Sequence, residues 1–368
     1  MKQPIYRLTI KSLHIDSTLL GILLITIIFG FFILYSASNA NLHMVLRQAM
    51  HLLLASLIML TLTMIPPHKY KLWTPWVYLG SLLLLIAVML IGKSGKGAQR
   101  WLDLGLFRFQ PSEIMKLAAP MMSAWYVDHI KKKITYKHWL YIGLIIFIPA
   151  FLIAKQPDLG TSIMVMAAGI SVIFLAGIPM RILLWTAITI SLTLPIIWHH
   201  MHDYQRQRIY TLFNPEADPL GAGYHILQSK IAIGSGGSIG KGWLTGSQSH
   251  LNFLPEHATD FIFAVGGEEF GLLGSGILII LFVLMSMRSL QIAANAQTVY
   301  TRLVAVGLSM TFFVSTFVNI GMVIGILPVV GIPLPFISYG GTAMVTFLAS
   351  FGILMSISSH RILFTTIH

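Results

Sequence analysis

The stretch His250–Gly271 reads HLNFLPEHATDFIFAVGGEEFG. It joins a polar segment to a long apolar run and sets Asp260 at the junction, with Glu268 and Glu269 further in. Ionisable groups at membrane depth are costly, so acids placed there mark a functional site by default. Asp260 is the first candidate. A plainer reading makes Asp260 only the cap of the helix that starts at FIFAV. Its setting argues for more: Glu256 lies four residues earlier, two acids follow, and basic residues occupy neighbouring loops. Opposed charges around a membrane-edge cavity suit chemistry on an anionic amphiphile.

Composition fixes the class. Hydrophobic residues make up 56% of the 368 residues and charged residues 10%, against about 25% charged in soluble domains. Mean hydropathy is +0.79. These values predict an all-α polytopic membrane protein, with residues 1–368 forming a single integral membrane domain. The absence of cysteine excludes disulfides and thiolate metal sites. A net charge of +12 would suggest nucleic acid in a soluble protein. Here membrane orientation and anionic lipid explain it, and no nucleic-acid partner is expected.

Apolar windows fall near 18–36, 46–65, 73–92, 111–129, 138–154, 160–177, 180–198, 261–287, 303–327 and 335–358, about ten transmembrane helices in all. The first precedes Ser36-Ala37-Ser38, which resembles a cleavage site, but its run is too long for a signal segment and reads as an uncleaved helix. With the N-terminus inside, 13 of the 24 basic residues lie on the cytoplasmic side, among them Lys69, Lys71, Lys137, Arg181, Arg288 and Arg302. Both termini are then cytoplasmic, and one long loop, about 199–260, faces outward.

The outside loop KSGKGAQRWLDLGLFR (93–108) breaks this trend with Lys93, Lys96, Arg100 and Arg108 against a single acid, Asp103. It is either a solvated loop anchored by Trp101 or a receptor for an anion, since Arg suits bidentate phosphate recognition. Local charge leaves both readings open.

Within the long loop, DYQRQRIYTLF (203–213) and YHILQSKIAI (224–233) have helix-compatible spacing, separated by turn-rich NPEADPLGAG. The run GSGGSIGKGW (234–243) is not a phosphate loop: its glycines are misspaced, and Gly242 stands where Ser or Thr is required. It reads as flexible backbone able to approach a substrate closely, or as a mobile connector. His199, His200 and His202 lack a carboxylate at ligand spacing and read as interfacial, so no metal site is assigned.

Three more segments carry polar groups into spans. Gln110-Pro111-Ser112-Glu113 opens the fourth, and Glu113 and Lys116 share a helix face where each neutralises the other. Gln156-Pro157-Asp158-Leu159-Gly160-Thr161 opens the sixth, where Asp158 suits a helix cap. PLPFISYGGT (333–342), which contains Ser338, predicts a broken helix start lining a cavity.

Together these segments resemble the SEDS family (shape, elongation, division and sporulation) of bacterial membrane proteins that polymerise peptidoglycan. The resemblance covers essentially the whole chain. It rests on GKGAQRWLDLG (95–105), FQPSEIMK (109–116), KQPDLGTS (155–162), FLPEHATDFIFAV (253–265) and PLPFISYGGT (333–342). The run GKGWLTGSQSHLNFLPE (240–256) is more similar to the elongation branch, RodA, than to the division branch, FtsW. Glu256-His257-Ala258-Thr259-Asp260 departs from the usual Glu-Arg-His-Thr-Asp around a retained acid.

The resemblance implies a glycosyltransferase of the bacterial cytoplasmic (inner) membrane, with lipid II as donor and acceptor, acting in cell elongation and rod-shape maintenance. It implies an essential carboxylate at Asp260 and a functional pair at Glu113 and Lys116. Arg100, Lys96, Asp158, Glu256 and Ser338 are candidate substrate-binding residues. The implied partners are a class B penicillin-binding protein and other elongation-complex membrane proteins. The chemistry agrees. An α-linked pyrophosphate donor and a β-1,4 product require one inverting displacement, with a base on the acceptor hydroxyl and charge stabilisation on the leaving group. Cationic side chains, or Mg²⁺ or another divalent cation, can replace a general acid there. A lipid II flippase and a non-catalytic scaffold of the elongation complex are the competing expectations.

Overall fold

In the computed structural model, residues 14–95, 98–103, 108–130, 134–201, 203–218, 221–250 and 256–360 are described. Lys96 and His202 lie outside them. Ten helices coincide with the ten apolar windows: α1 (Ser17–Ala37), α2 (Leu42–Met64), α3 (Pro67–Ile91), α4 (Pro111–His129), α5 (Tyr136–Lys155), α6 (Leu159–Leu175), α7 (Met180–His200), α11 (Ile262–Ala294), α12 (Val299–Val323) and α13 (Gly341–Ser359). Seven of them, α1, α2, α3, α5, α11, α12 and α13, are long and apolar enough to cross a membrane. The other three differ for visible reasons. α4 carries Glu113 and Lys116, α6 has 17 residues, and α7 contributes the shorter apolar stretch Met180–Ile196. The chain is a multi-pass membrane protein, as its composition predicts.

The loop 93–109 is more structured than the sequence suggests, and the long loop is ordered about where its spacing predicts. Residues 93–109 hold a small antiparallel sheet, β1 (Lys93–Gly95), β2 (Ala98–Asp103) and β3 (Arg108–Phe109), in an otherwise helical molecule. The long loop contains α8 (Asp203–Phe213), α9 (Ala222–Gly236) and the single turn α10 (Ser247–His250), the first two close to the predicted spans.

The last span begins later than its apolar window. Residues 333–340 stay non-helical, and α13 starts at Gly341, as Pro333, Pro335 and the Gly340-Gly341 pair lead one to expect. α13 then runs through the middle of the bundle, with α2, α4 and α12 against it. Phe336 from the lead-in joins Phe312, Phe347 and Phe351 in a ring cluster with centroids 5.1–6.2 Å apart.

At the far end from these loops, a clasp joins α1, α11 and α13. Asp16 caps α1 through the Leu19 amide (3.0 Å), meets Arg288 at 2.7 Å and accepts from the Ser358 hydroxyl at 3.0 Å. Burial opposes ionisation of Asp16. Arg288, the Leu19 amide and Ser358 outweigh it, holding the carboxyl below the usual carboxylate range.

Candidate functional site

α11 is two helices in one. At Gly271 the backbone turns to φ 63°, ψ −158°, breaking the hydrogen-bond ladder just after Glu268 and Glu269. Backbone groups at membrane depth need partners, and the glycine-rich run provides them. The Lys241 and Gly242 amides donate to the Glu268 and Glu269 carbonyls at 3.0 Å, and Leu272 and Leu273 donate to Gly237 and Ser238 at 3.0 and 3.1 Å. A Cβ on Gly240 (φ 91°) would collide with the Glu269 carbonyl. The glycines thus approach α11 rather than a substrate, which corrects both sequence readings of this run. Its backbone from Gly237 to Gly242 is hydrogen-bonded to α11.

The Glu268 carboxylate is fully buried and belongs to the same lock. It accepts from the Lys241 ammonium at 2.6 Å, from the Ser247 amide and hydroxyl at 2.9 and 3.1 Å, and from the Gln248 amide at 3.1 Å. Glu269 accepts from the Ser36 hydroxyl of α1. These acids hold the loop to the bundle.

Asp260 stands apart from them. It closes the turn 256–260 and is partly exposed, and the N-cap position of α11 is Phe261, with no side-chain capping bond. The capping reading of Asp260 therefore fails. The turn is held by its neighbours. Tyr339 donates its amide to the Ala258 carbonyl at 2.9 Å, and Ser338 donates its hydroxyl to the Thr259 carbonyl at 2.6 Å. The Asn319 amide of α12 donates to the Asp260 carbonyl at 2.9 Å. His225 of α9 stacks on Phe261 at 5.5 Å. Burial lowers the His225 pKa, against the pull of Glu256 and Asp218.

Two non-glycine residues here sit at positive φ, Glu256 (54°) in the turn and Phe336 (66°) in the lead-in. Strained backbone of this kind persists only where surroundings over-determine it, and it clusters at functional sites. The Glu256 carboxylate accepts from the Thr259 hydroxyl at 2.7 Å, which stiffens the turn. Ser338 is buried, and its oxygen also accepts from the Leu334 amide at 2.8 Å. Its hydroxyl ties the lead-in to the Asp260 turn.

The other sequence candidates form two adjoining groups. Glu113 and Lys116 meet at 2.7 Å in the interior, with the ammonium 5.2 Å from the Phe347 ring centre. Glu113 Oε2 makes no hydrogen bond, so its contact with Lys116 is Coulombic without hydrogen-bond alignment. Asp158 is the N-cap of α6 through the Thr161 amide (3.3 Å), accepts from Gln110 at 2.8 Å and lies 3.8 Å from Arg100. Arg100 also donates to the Gln156 carbonyl at 3.3 Å and to the Pro157 carbonyl. Its fork fastens the sheet to the turn before α6. Gly160 packs on Val330 and Ile332, which brings the Asp158 turn against the segment beside Asp260.

Sequence reasoning missed Asn319, Gln48, Lys241 and His225. Asn319 had one available signal, a lone amide inside a span, since buried polar groups in spans make specific bonds. Gln48 bridges α2 to the lead-in, donating to the Ser338 carbonyl at 3.2 Å and accepting from the Gly340 amide at 3.3 Å. Nothing in the local sequence marks that pairing.

The family model described as a cell cycle protein family, FtsW/RodA/SpoVE, matches residues 16–362. The chain belongs to this family, the one its motifs resemble. It is 51% identical over 351 residues to "Peptidoglycan glycosyltransferase MrdB" of Escherichia coli K12, covering 95% of each chain. It is 31% identical to "Peptidoglycan glycosyltransferase RodA" of Treponema pallidum, covering 94% of this chain and 97% of the relative. Among solved structures, it matches a chain of "Structural coordination of polymerization and crosslinking by a peptidoglycan synthase complex" with TM-score 0.82 and 30% identity, covering 94% of this chain and 97% of that one.

Proposed function

We propose that this chain is a peptidoglycan glycosyltransferase that polymerises lipid II into glycan strands during elongation, with Asp260 as the general base. The observation that carries the reading is the Asp260 turn. It presents an acid that does not cap its helix, on backbone held from α12 and the 333–340 segment, in a chain half identical to a named peptidoglycan glycosyltransferase. Rigid support of this kind is what a base needs to meet an acceptor hydroxyl in reactive geometry.

In the reaction, the acceptor 4-hydroxyl oxygen attacks the anomeric carbon of the donor and the carbon–oxygen bond to pyrophosphate breaks with inversion. Asp260 takes the hydroxyl proton, and undecaprenyl pyrophosphate leaves as an anion. Because the leaving group departs charged, a second catalytic acid is unnecessary. Among the described residues no three His, Asp or Glu side chains gather to hold an ion. A divalent cation such as Mg²⁺ is therefore proposed only as a counter-ion carried on the substrate's pyrophosphate, and no step runs through it. Glu113 and Lys116 support the site through Phe347 and Phe336, the ring pair 6.1 Å apart that leads to the Asp260 turn.

The rest of the reading concerns setting. The loop 199–260 faces outward, both termini are cytoplasmic, and the membrane is the bacterial inner membrane, in line with the excess of inside Lys and Arg. A class B penicillin-binding protein supplies transpeptidation, supported by the similarity to a chain of a peptidoglycan synthase complex. Other elongation-complex membrane proteins are further proposed partners. Purified protein with lipid II tests the reading: glycan polymer is expected in detergent, lost in Asp260→Ala. Translocation of lipid II in vesicles without polymer would overturn it in favour of a flippase.

A further inference from the structure

Asn319 occupies an unusual position in α12. It is fully buried, and its side-chain amide nitrogen donates to two backbone carbonyls at once, Asp260 at 2.9 Å and Ile332 at 2.7 Å. Those carbonyls belong to the two non-helical segments of the site. One carries the acid. The other is the run just before 333–340, whose Gly331 (φ 73°) lies against the acid: a Cβ at Gly331 would be 3.4 Å from Asp260 Oδ2.

The orientation of the Asn319 amide is dictated by its partners. Turning it over would set its oxygen against two carbonyl oxygens. As it stands, Oδ1 is buried with no hydrogen bond, an arrangement that forfeits one bond to make two at the opposite atom. An apolar residue would leave both carbonyls without this donor in a buried setting. A bundle needing only packing at this place would have no use for the amide.

We propose that Asn319 is the positioning residue of Asp260. It fixes the distance between the acid-bearing turn and the Gly331–Ile332 backbone, and so sets where the carboxylate points. It acts through Asp260 and does not touch substrate. This inference rests on the reading of Asp260 as the base, and it commits to a dependence that a merely structural asparagine would not show.

The test is made on the full chain, with lipid II polymerisation as the assay. Asn319→Leu is close in shape and donates nothing. It is expected to lower kcat roughly 10²-fold, the scale of a misplacement of about 1 Å in a catalytic group, with KM for lipid II within about twofold of wild type. Asn319→Ser, which can donate one bond, is expected to lie between the two. In an Asp260→Asn background, Asn319→Leu should cause almost no further loss, because residues that act as one unit are non-additive. A loss that multiplies with Asp260→Asn, or one confined to KM, overturns the proposal.

If Asn319→Leu does not fold, Asn319→Ser decides by hydrogen exchange. Faster exchange confined to amides of the 256–261 and 331–339 segments supports the clamp, and exchange unchanged there overturns it. The two readings fail separately. Wild-type turnover in Asp260→Asn removes the base assignment. An inactive Asp260→Asn beside fully active Asn319→Leu and Asn319→Ser removes only the positioning role.

Discussion

The turn before α6 and the turn before α11 look alike as sequence. Each puts one aspartate, Asp158 or Asp260, at the start of an apolar helix, and each invites reading as a helix cap. The structure gives them opposite work. Asp158 is 5% exposed, with the Thr161 amide and Gln110 bonded to it and Arg100 at 3.8 Å. Asp260 lies one residue too early to cap, because Phe261 takes that position, and its turn is secured through backbone carbonyls instead. An acid whose oxygens complete a helix end stabilises the fold. An acid whose backbone is clamped by α12 and the 333–340 segment is held in a fixed place, as a catalytic base requires.

This contrast sets the expected order of effects. The largest belongs to Asp260→Asn, which keeps the shape and loses the proton acceptor. Polymerisation of lipid II should fall by roughly 10²–10⁴-fold, measured as glycan product from purified protein, while the thermal transition in detergent stays near that of wild type. A parallel loss of folding would make Asp260 a structural acid like Asp158.

Next comes the interior pair. Glu113→Gln or Lys116→Met leaves one buried charge without its counter-charge, a change that costs about 3–5 kcal/mol, while the double substitution should cost less than either. Thermal unfolding of the three variants in one detergent checks this. Simple addition of the two losses would show that the 2.7 Å contact carries no coupling.

Asp158→Ala should behave as the removal of a cap, at about 0.5–2 kcal/mol, with a further small loss as Gln110 loses its acceptor and Arg100 its nearby counter-charge. Arg100→Lys should resemble a milder form of it, since a single ammonium cannot hold the Gln156 and Pro157 carbonyls as the planar fork does. Lipid II affinity should be nearly unchanged in Arg100→Lys. A large drop in affinity would favour the anion-receptor reading of the 93–108 loop.

The smallest effect is on pH. Burial holds the His225 pKa below its ordinary 6.5 in the folded state. As pH falls below about 6.5, the unfolded chain takes up this proton before the folded chain does, so the folded state loses stability through that window. His225→Phe keeps a ring over Phe261 and removes the titration. The slope of stability against pH below 6.5 should be shallower than in wild type, and an identical slope would mean that His225 titrates alike in both states.

Much of this was legible in the residues. Length and hydropathy located the ten helices, and the spacing of Glu113 and Lys116 announced an i,i+3 pair that the structure closes. Pro and Gly in PLPFISYGGT marked the non-helical lead-in to α13. What escaped the sequence was pairing at long range. The amide that clamps Asp260 comes from residue 319, and the groups that satisfy the kink at Gly271 come from 237–242. Those partners are set by how helices cross, and no local pattern records it. The glycine-rich run was misread for the same reason, since close approach is written in the glycines but the object approached is not.

The decisive experiment prepares Asp260→Asn and Asp158→Ala side by side and measures polymer formed per folded molecule together with the unfolding temperature. The prediction is a crossed result: Asp260→Asn folded and nearly inactive, Asp158→Ala less stable and active in proportion to its folded fraction. Polymer formation by folded Asp260→Asn at the wild-type rate would show that Asp260 is not the base.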